Sequence, residues 1–176
     1  MKTFKTKIQG LTLIKWKRFF DQRGSFLESY NNNVYSKIGI KKNFLQDNFS
    51  FSKKNVLRGL HYQKKNPQGK LVSIIKGSIL DVVVDLRKNS KTFGKYQTFF
   101  LSEKNCKQLW VPENFAHGFL TLSPNTIVNY KCTKVYDPKD QNTIIWNDKY
   151  LNIPWKIRKP IISKKDEEGL LFKDIF

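Results

Sequence analysis

Residues 71–86 read LVSIIKGSILDVVVDL. Two runs rich in β-branched residues, 71–75 and 79–86, flank Lys76-Gly77-Ser78. That is the pattern of two strands joined in a tight hairpin. Outward from this pair, further short strands are predicted over 96–101, 107–111, 118–122 and 126–136, each set off by turn residues. Upstream, 11–17 and 25–31 read as strands, and 34–38 as a short helix. The segment 166–173 reads as a helix or a partly ordered tail. Many short strands at close spacing indicate an all-β sandwich or barrel. No GxGxxG or GxxxxGK(S/T) follows a strand and opens a helix, which argues against dinucleotide-binding and P-loop chemistry.

The 176 residues suit one domain with a core of its own. Aromatics at 14% exclude the disordered class. No apolar stretch reaches the roughly 18 residues of a membrane span. Lysines interrupt the N-terminus where the apolar part of a signal peptide would lie, so a cytoplasmic location is expected. The charge of +19 invites a nucleic-acid partner. It comes, however, from 28 Lys and only 5 Arg, dispersed as singles and pairs, whereas base and bidentate phosphate recognition favour Arg. With 15 Asn and 15 Ile, the lysines read as compositional drift on a solvated surface. No nucleic-acid or membrane partner is expected, and a nucleic-acid binder would show salt-sensitive binding. Cys106 and Cys132 read as two reduced thiols, and no zinc-finger spacing is present.

The chain has two histidines, His61 in RGLHYQ and His117 in NFAHGF. Either could be a hydrogen-bonded structural residue. The positions two beyond them, Gln63 and Phe119, do not supply a second metal ligand, so no metal is expected. Asp81 and Asp85 share parity with Val83 and point to one face of an apolar strand. Asp85 reads as a salt-bridge partner of Arg87. Asp81 is either structural or the group that orients an imidazole. Tyr130 and Tyr136, both inside the strand predicted over 126–136, should face the same side, as packing residues or as a phenolic acid and a stacking surface. Lys70 is one of 28 lysines and by itself reads as solvated surface, set apart only by leading directly into an apolar strand.

Seven segments together resemble the dTDP-4-dehydrorhamnose 3,5-epimerase family. They are FDQRGSFLESY (20–30), QDNFSFSKKNVLRGLHYQ (46–63), QGKLVSIIKGSILDVVVDLRKNSKTFGKY (68–96), LSEKNCKQLWVPENFAHGFLTLS (101–123), YKCTKVYDP (130–138), IIWNDKYLNIPW (144–155) and ISKKD (162–166). They cover nearly the whole chain in the family's order. The resemblance implies a double-stranded β-helix, the cupin-like jelly-roll sandwich, with short peripheral helices. It implies a single domain over 1–176, with an N-terminal arm over about 1–45, a core over about 46–155 and a C-terminal tail over about 156–176. It also implies a homodimer that exchanges an N-terminal strand, and a reaction without metal or other cofactor. The substrate would be a dTDP-linked 4-keto-6-deoxy sugar, inverted at C3 and C5.

Residue by residue, the resemblance implies His61 as general base, Asp166 as its partner, Lys70 as the cation beside the enolate oxygen and Tyr130 as proton donor on the opposite face. His117, held by Asp81, would line the sugar pocket. Arg23 and Arg58 would bind the diphosphate, and Gln46, Asn48 and Glu28 would contact sugar or base. Phe26 and Tyr136 would sandwich the nucleobase, with Phe26 and Glu28 serving the neighbouring subunit's site. Three of the five arginines, Arg23, Arg58 and Arg87, fall inside the matching segments. The chain departs from the family at Ser73, Ser78 and Leu80, outside the proton-transfer set, and the Asp166 match is short. Alternatives are an epimerase of one carbon only, an epimerase of another nucleotide-linked 4-keto sugar, and a sugar-nucleotide binding module without catalysis.

Overall fold

The structure is a computed structural model that describes residues 1–175. In chain order the strands are β1 (Lys2–Phe4), β2 (Thr12–Lys15), β3 (Phe19–Asp21), β4 (Gly24–Phe26), β5 (Gln46–Ser52), β6 (Leu57–Gln63) and β7 (Lys70–Lys76). They continue with β8 (Ser78–Asp85), β9 (Tyr96–Ser102), β10 (Lys107–Val111), β11 (Phe115–Thr121), β12 (Thr126–Cys132) and β13 (Gln141–Thr143). Two short helices, α1 (Asn32–Lys37) and α2 (Lys164–Glu167), lie outside the sheets. One sheet has six strands in the order β1-β2-β10-β7-β12-β5, the other five in the order β13-β6-β11-β8-β9, and β3-β4 form a separate hairpin. The two large sheets face each other as a jelly-roll sandwich, the architecture expected from the sequence.

The expected hairpin at residues 76–78 does not form. β7 is central in the six-stranded sheet, between β10 and β12, whereas β8 is central in the five-stranded sheet, between β11 and β9. Gly77, at φ +83°, turns the chain from one sheet into the other. The physical reason lies in the apolar runs themselves. Val72 and Ile74 from β7 meet Ile79 and Val83 from β8 in the core between the sheets. The opposite faces are covered too, Leu71 joining a cluster with Trp110 and α1's Tyr35, and Val82 and Val84 one with Leu151, Trp155 and Phe172. Strands buried on both faces need a partner on each edge, and a tight turn between them fits a corner as well as a hairpin.

Other boundaries shift. The strand expected over 126–136 ends at Cys132, because the next residues leave the six-stranded sheet and cross to β13 in the five-stranded one. Tyr130 and Tyr136 therefore do not share a strand. The strand expected over 25–31 is confined to Gly24–Phe26, because Asn31 caps α1, its side chain accepting the N–H groups of Asn33 and Val34. The segment 11–17 is strand only over Thr12–Lys15, and 118–122 begins earlier, at Phe115. The helix expected over 34–38 runs over Asn32–Lys37. The C-terminal segment is ordered as α2 followed by a 3-10 turn, Phe172–Asp174. Among the described residues no helix is long and apolar enough to cross a membrane.

Candidate active site

The interior of the sandwich is apolar at one end and polar at the other. The polar end encloses a cavity of about 260 Å³. Alternation along β5 and β12 decides what enters it from those strands. From the six-stranded sheet come Gln46, Asn48 and Ser50 of β5, Tyr130 and Cys132 of β12, and Lys70 of β7. Tyr130 lies between Asn48 and Val72 in register, and Cys132 between Gln46 and Lys70. From the five-stranded sheet come Arg58, His61 and Gln63 of β6, and His117 and Phe119 of β11.

His61 and His117 are direct cross-strand partners, and the register shifts between His117 and Phe119, which pairs with Arg58. Arg58 and His61 are three positions apart and would face opposite ways in a regular strand. The irregularity lets both line one cavity. It depends on close backbone approach. Gly59 sits at φ +119°, and a Cβ there would come 2.5 Å from the Cα of Gly118. Arg58 is oriented by its Nε, which donates to Ser52 Oγ at 3.1 Å.

Each histidine is held by a carboxylate. His61 Nε2 lies 2.6 Å from Asp166 Oδ1, and Asp166 Oδ2 accepts the Gly59 N–H at 3.3 Å. Asp166 is presented by α2, whose cap Ser163 accepts the Asp166 N–H. Between isolated bridges Val56–Ile161 and Ile144–Leu170, this segment is laid against β6 and the chain after β13. His117 Nε2 lies 2.8 Å from Asp81 Oδ2, and Asp81 is fully buried. An ionised carboxylate only accepts, so each pairing places a proton on Nε2 and turns Nδ1 away from the carboxylate.

Burial shifts several of the cavity's groups, His61, Tyr130 and Lys70 among them. It pushes the His61 imidazole below its ordinary value, against the raising effect of Asp166. It pushes the Tyr130 phenol up. It lowers the Lys70 ammonium, with the neighbouring Cys132 and Asp81 pulling it back. At neutral pH the site thus brings a neutral imidazole, a protonated phenol and a buried lysine amine into one enclosure.

The remaining expected residues divide. Gln46, Asn48, Arg58 and Tyr136 line the cavity, Tyr136 from the crossover after β12 rather than from the strand. Arg23, Phe26 and Glu28 do not line it. Arg23 pairs with Asp21 at 2.6 Å on the β3-β4 hairpin, Phe26 is 70% exposed, and Glu28 accepts from Asn31. Phe26 and Tyr136 therefore do not enclose a common space within one chain. Asp85 meets Arg87 at 2.7 Å and is structural. Ser73, Ser78 and Leu80 lie off the cavity wall, Ser73 accepting from Gln108 at 2.7 Å in a buried network. The sequence assigned no site role to Ser50, Tyr62, Gln63, Gln68, Cys132 and Gln141, which also line the cavity. For three of these the signal was parity: Ser50 follows Asn48, Gln63 follows His61 and Cys132 follows Tyr130 by two positions. Among the described residues no three His, Cys, Asp or Glu side chains group as a metal would require.

The family model described as dTDP-4-dehydrorhamnose 3,5-epimerase matches residues 5–174. The chain is similar to the dTDP-4-dehydrorhamnose 3,5-epimerase of Salmonella typhimurium, with 48% identity over 94% of this chain and 92% of that one. Its fold is similar to the crystal structure of dTDP-4-dehydrorhamnose 3,5-epimerase from Bacillus anthracis with TDP and PPi bound. There the TM-score is 0.94 and the identity 44%, covering 97% of this chain and 99% of that one. It is likewise similar to dTDP-6-deoxy-D-glucose-3,5-epimerase from Legionella pneumophila in complex with dTDP-4-keto-L-rhamnose. That match has a TM-score of 0.96 and 42% identity, covering 99% of this chain and 94% of that one.

Proposed function

The chain belongs to the dTDP-4-dehydrorhamnose 3,5-epimerase family, and from that premise we propose that it converts dTDP-4-dehydro-6-deoxy-glucose to dTDP-4-dehydro-L-rhamnose. The observation that carries the proposal is the convergence of the His61–Asp166 pair, Lys70 and Tyr130 on one cavity. A 4-keto group acidifies the hydrogens on C3 and C5. His61 Nδ1, its other nitrogen committed to Asp166, takes one of these protons as general base. The electrons move to the keto oxygen as an enolate, which the Lys70 ammonium stabilises, with His117 nearby on the sugar. Tyr130 returns a proton to the same carbon from the opposite face. His61 then loses its proton and Tyr130 regains one through solvent before the second carbon reacts. Burial favours this division of labour, because it keeps the base neutral and the acid protonated.

Arg58 at the cavity edge suits the diphosphate, where charge-assisted hydrogen bonds are strongest. Gln46 and Asn48 are assigned to sugar or base contacts, and Tyr136 to stacking on the nucleobase. The exposed aromatic hairpin β3-β4 supports a homodimer in which the arm, about 1–45, brings Arg23, Phe26 and Glu28 to the other subunit's cavity. The core, about 46–155, holds base, acid and cation, and the tail delivers Asp166. The two free cysteines and a nucleotide-sugar substrate suit a cytoplasmic location. Identification of the product formed from dTDP-4-dehydro-6-deoxy-glucose in the presence of a 4-keto reductase tests the activity. Recovery of a dTDP-L-rhamnose product supports it, and recovery of only unepimerised sugar contradicts it. Mixing a His61→Asn chain with a Phe26→Ala chain tests the exchange, since a mixed dimer regains one intact site only if the arm crosses over.

A further inference from the structure

The crossover between β12 and β13, residues 133–140, passes from one sheet to the other and carries Tyr136 at the cavity. Three glutamine side chains grip its backbone at closely spaced positions. Gln68 Nε2 donates to the Lys134 carbonyl at 2.9 Å, Gln46 Oε1 accepts the Tyr136 N–H at 2.6 Å, and Gln63 Oε1 accepts the Asp137 N–H at 3.0 Å. The three come from different places, namely β5, β6 and the loop before β7, and all line the cavity.

Gln63 has both amide ends engaged. It is 5% exposed, and its Nε2 donates to the Asn66 carbonyl at 2.9 Å. The same turn is tied to the crossover a second time, because buried Asp140 accepts the N–H groups of Lys64, Lys65 and Asn66. Gln46 is engaged likewise, donating to Asn48 Oδ1 at 2.8 Å. An irregular segment between two sheets has few main-chain partners of its own, so side-chain amides help decide where it runs.

We propose that Gln46, Gln63 and Gln68 form a clasp that holds the Tyr136 ring in place for the nucleobase, with Gln63 and Gln68 as positioning residues for nucleotide recognition. This deepens the functional reading and rests on Tyr136 being the stacking surface. Gln63 also lies two residues beyond His61 on β6, so one strand sets both the base and the nucleobase platform.

The test is a double-mutant cycle read by calorimetric binding of dTDP, which needs no turnover. Gln63→Met and Gln68→Met, which keep side-chain length but lose the amide, should each weaken dTDP binding. The loss at Gln63 should be about tenfold, within what a base–aromatic stack contributes. In turnover, KM should rise with kcat within about twofold. Tyr136→Leu should cause a similar loss, and adding Gln63→Met or Gln68→Met to Tyr136→Leu should cost little more. Should Gln63→Met fail to fold, the Gln68 cycle decides alone. Unchanged dTDP binding in foldable glutamine variants overturns the clasp while leaving Tyr136 as the stack. Full additivity with Tyr136→Leu also overturns it. Unchanged binding in Tyr136→Leu itself removes the stacking assignment and the clasp's role with it.

Discussion

Asp166 Oδ1 lies 2.6 Å from His61 Nε2, although the two residues are 105 positions apart in the chain. Asp166 is buried, and its other oxygen accepts the N–H of Gly59, so the carboxylate braces the β6 bend and the imidazole together. Replacing Asp166 with Asn removes the charge that fixes the tautomer and stabilises the imidazolium formed on proton abstraction. Asp166→Asn should lower kcat roughly 100-fold with KM little changed, measured by steady-state epimerisation.

The pH profile of kcat/KM should have an acid limb set by the base and a basic limb set by the groups that must stay protonated. A base works only when unprotonated, and burial lowers the His61 pKa below its ordinary 6.5, so the acid limb should lie below that value. Burial raises the Tyr130 acid above its ordinary 10.0 but lowers the Lys70 ammonium below its ordinary 10.5, so loss of the Lys70 charge should set the basic limb, below 10.5. Asp166 raises the His61 pKa, hence Asp166→Asn should move the acid limb to lower pH. A limb that stays in place or moves up would contradict the pairing.

Gly118 faces the carbonyl of Arg58, and a Cβ there would stand 2.7 Å from that oxygen. The obstacle is backbone and cannot rotate away. Gly118→Ala should push β6 and β11 apart beside both histidines, lowering kcat at least tenfold and depressing Tm by several degrees. Activity assays and thermal denaturation of the variant measure both.

Asp85 tests the reading of a carboxylate as purely structural. Burial pushes its carboxyl up, but hydrogen bonds from Arg87, Thr92 and Ser90 outweigh that and hold the pKa at about 2. An unfolded Asp titrates near 3.9, so the folded pKa is depressed. The stabilisation is full above the unfolded value and is lost as pH falls toward the folded one. Asp85→Asn should cost roughly 2–3 kcal/mol of unfolding free energy at pH 7. Denaturant titrations should find the gap between the two proteins narrowing between pH 4 and 2.

The sandwich was legible because β7 and β8 are β-branched runs and β9 to β12 are short stretches rich in apolar and aromatic residues, all between turn residues. Burial of β7 and β8 on both faces hid the corner at Gly77, since a run without alternation does not say which sheet it joins. β5 and β6 were read only through the family's motifs, not as strands. The inward face of β5 is Gln46, Asn48 and Ser50, which inverts the usual polar-out pattern because this face lines a cavity. In β6 the offset of Arg58 from His61 defies strand parity because of the register shift. Asp81 was traceable from its parity with Val83, and reaches His117 as that parity allows. Asp166 was reached through the family's motif alone, since nothing local in Ser163-Lys164-Lys165-Asp166 points to a histidine on β6. The clasp on residues 134–137 is a long-range contact between side chains and irregular backbone, for which a sequence carries no periodic sign.

The most direct measurement of the central claim is the uptake of deuterium from heavy water into the dTDP-linked 4-keto-6-deoxy sugar, followed by NMR at C3 and C5. The expected result is incorporation at both carbons with the intact protein and at neither with His61→Asn. Incorporation at neither carbon with the intact protein, or undiminished incorporation with His61→Asn, would contradict the account. Incorporation at one carbon alone would contradict the double inversion.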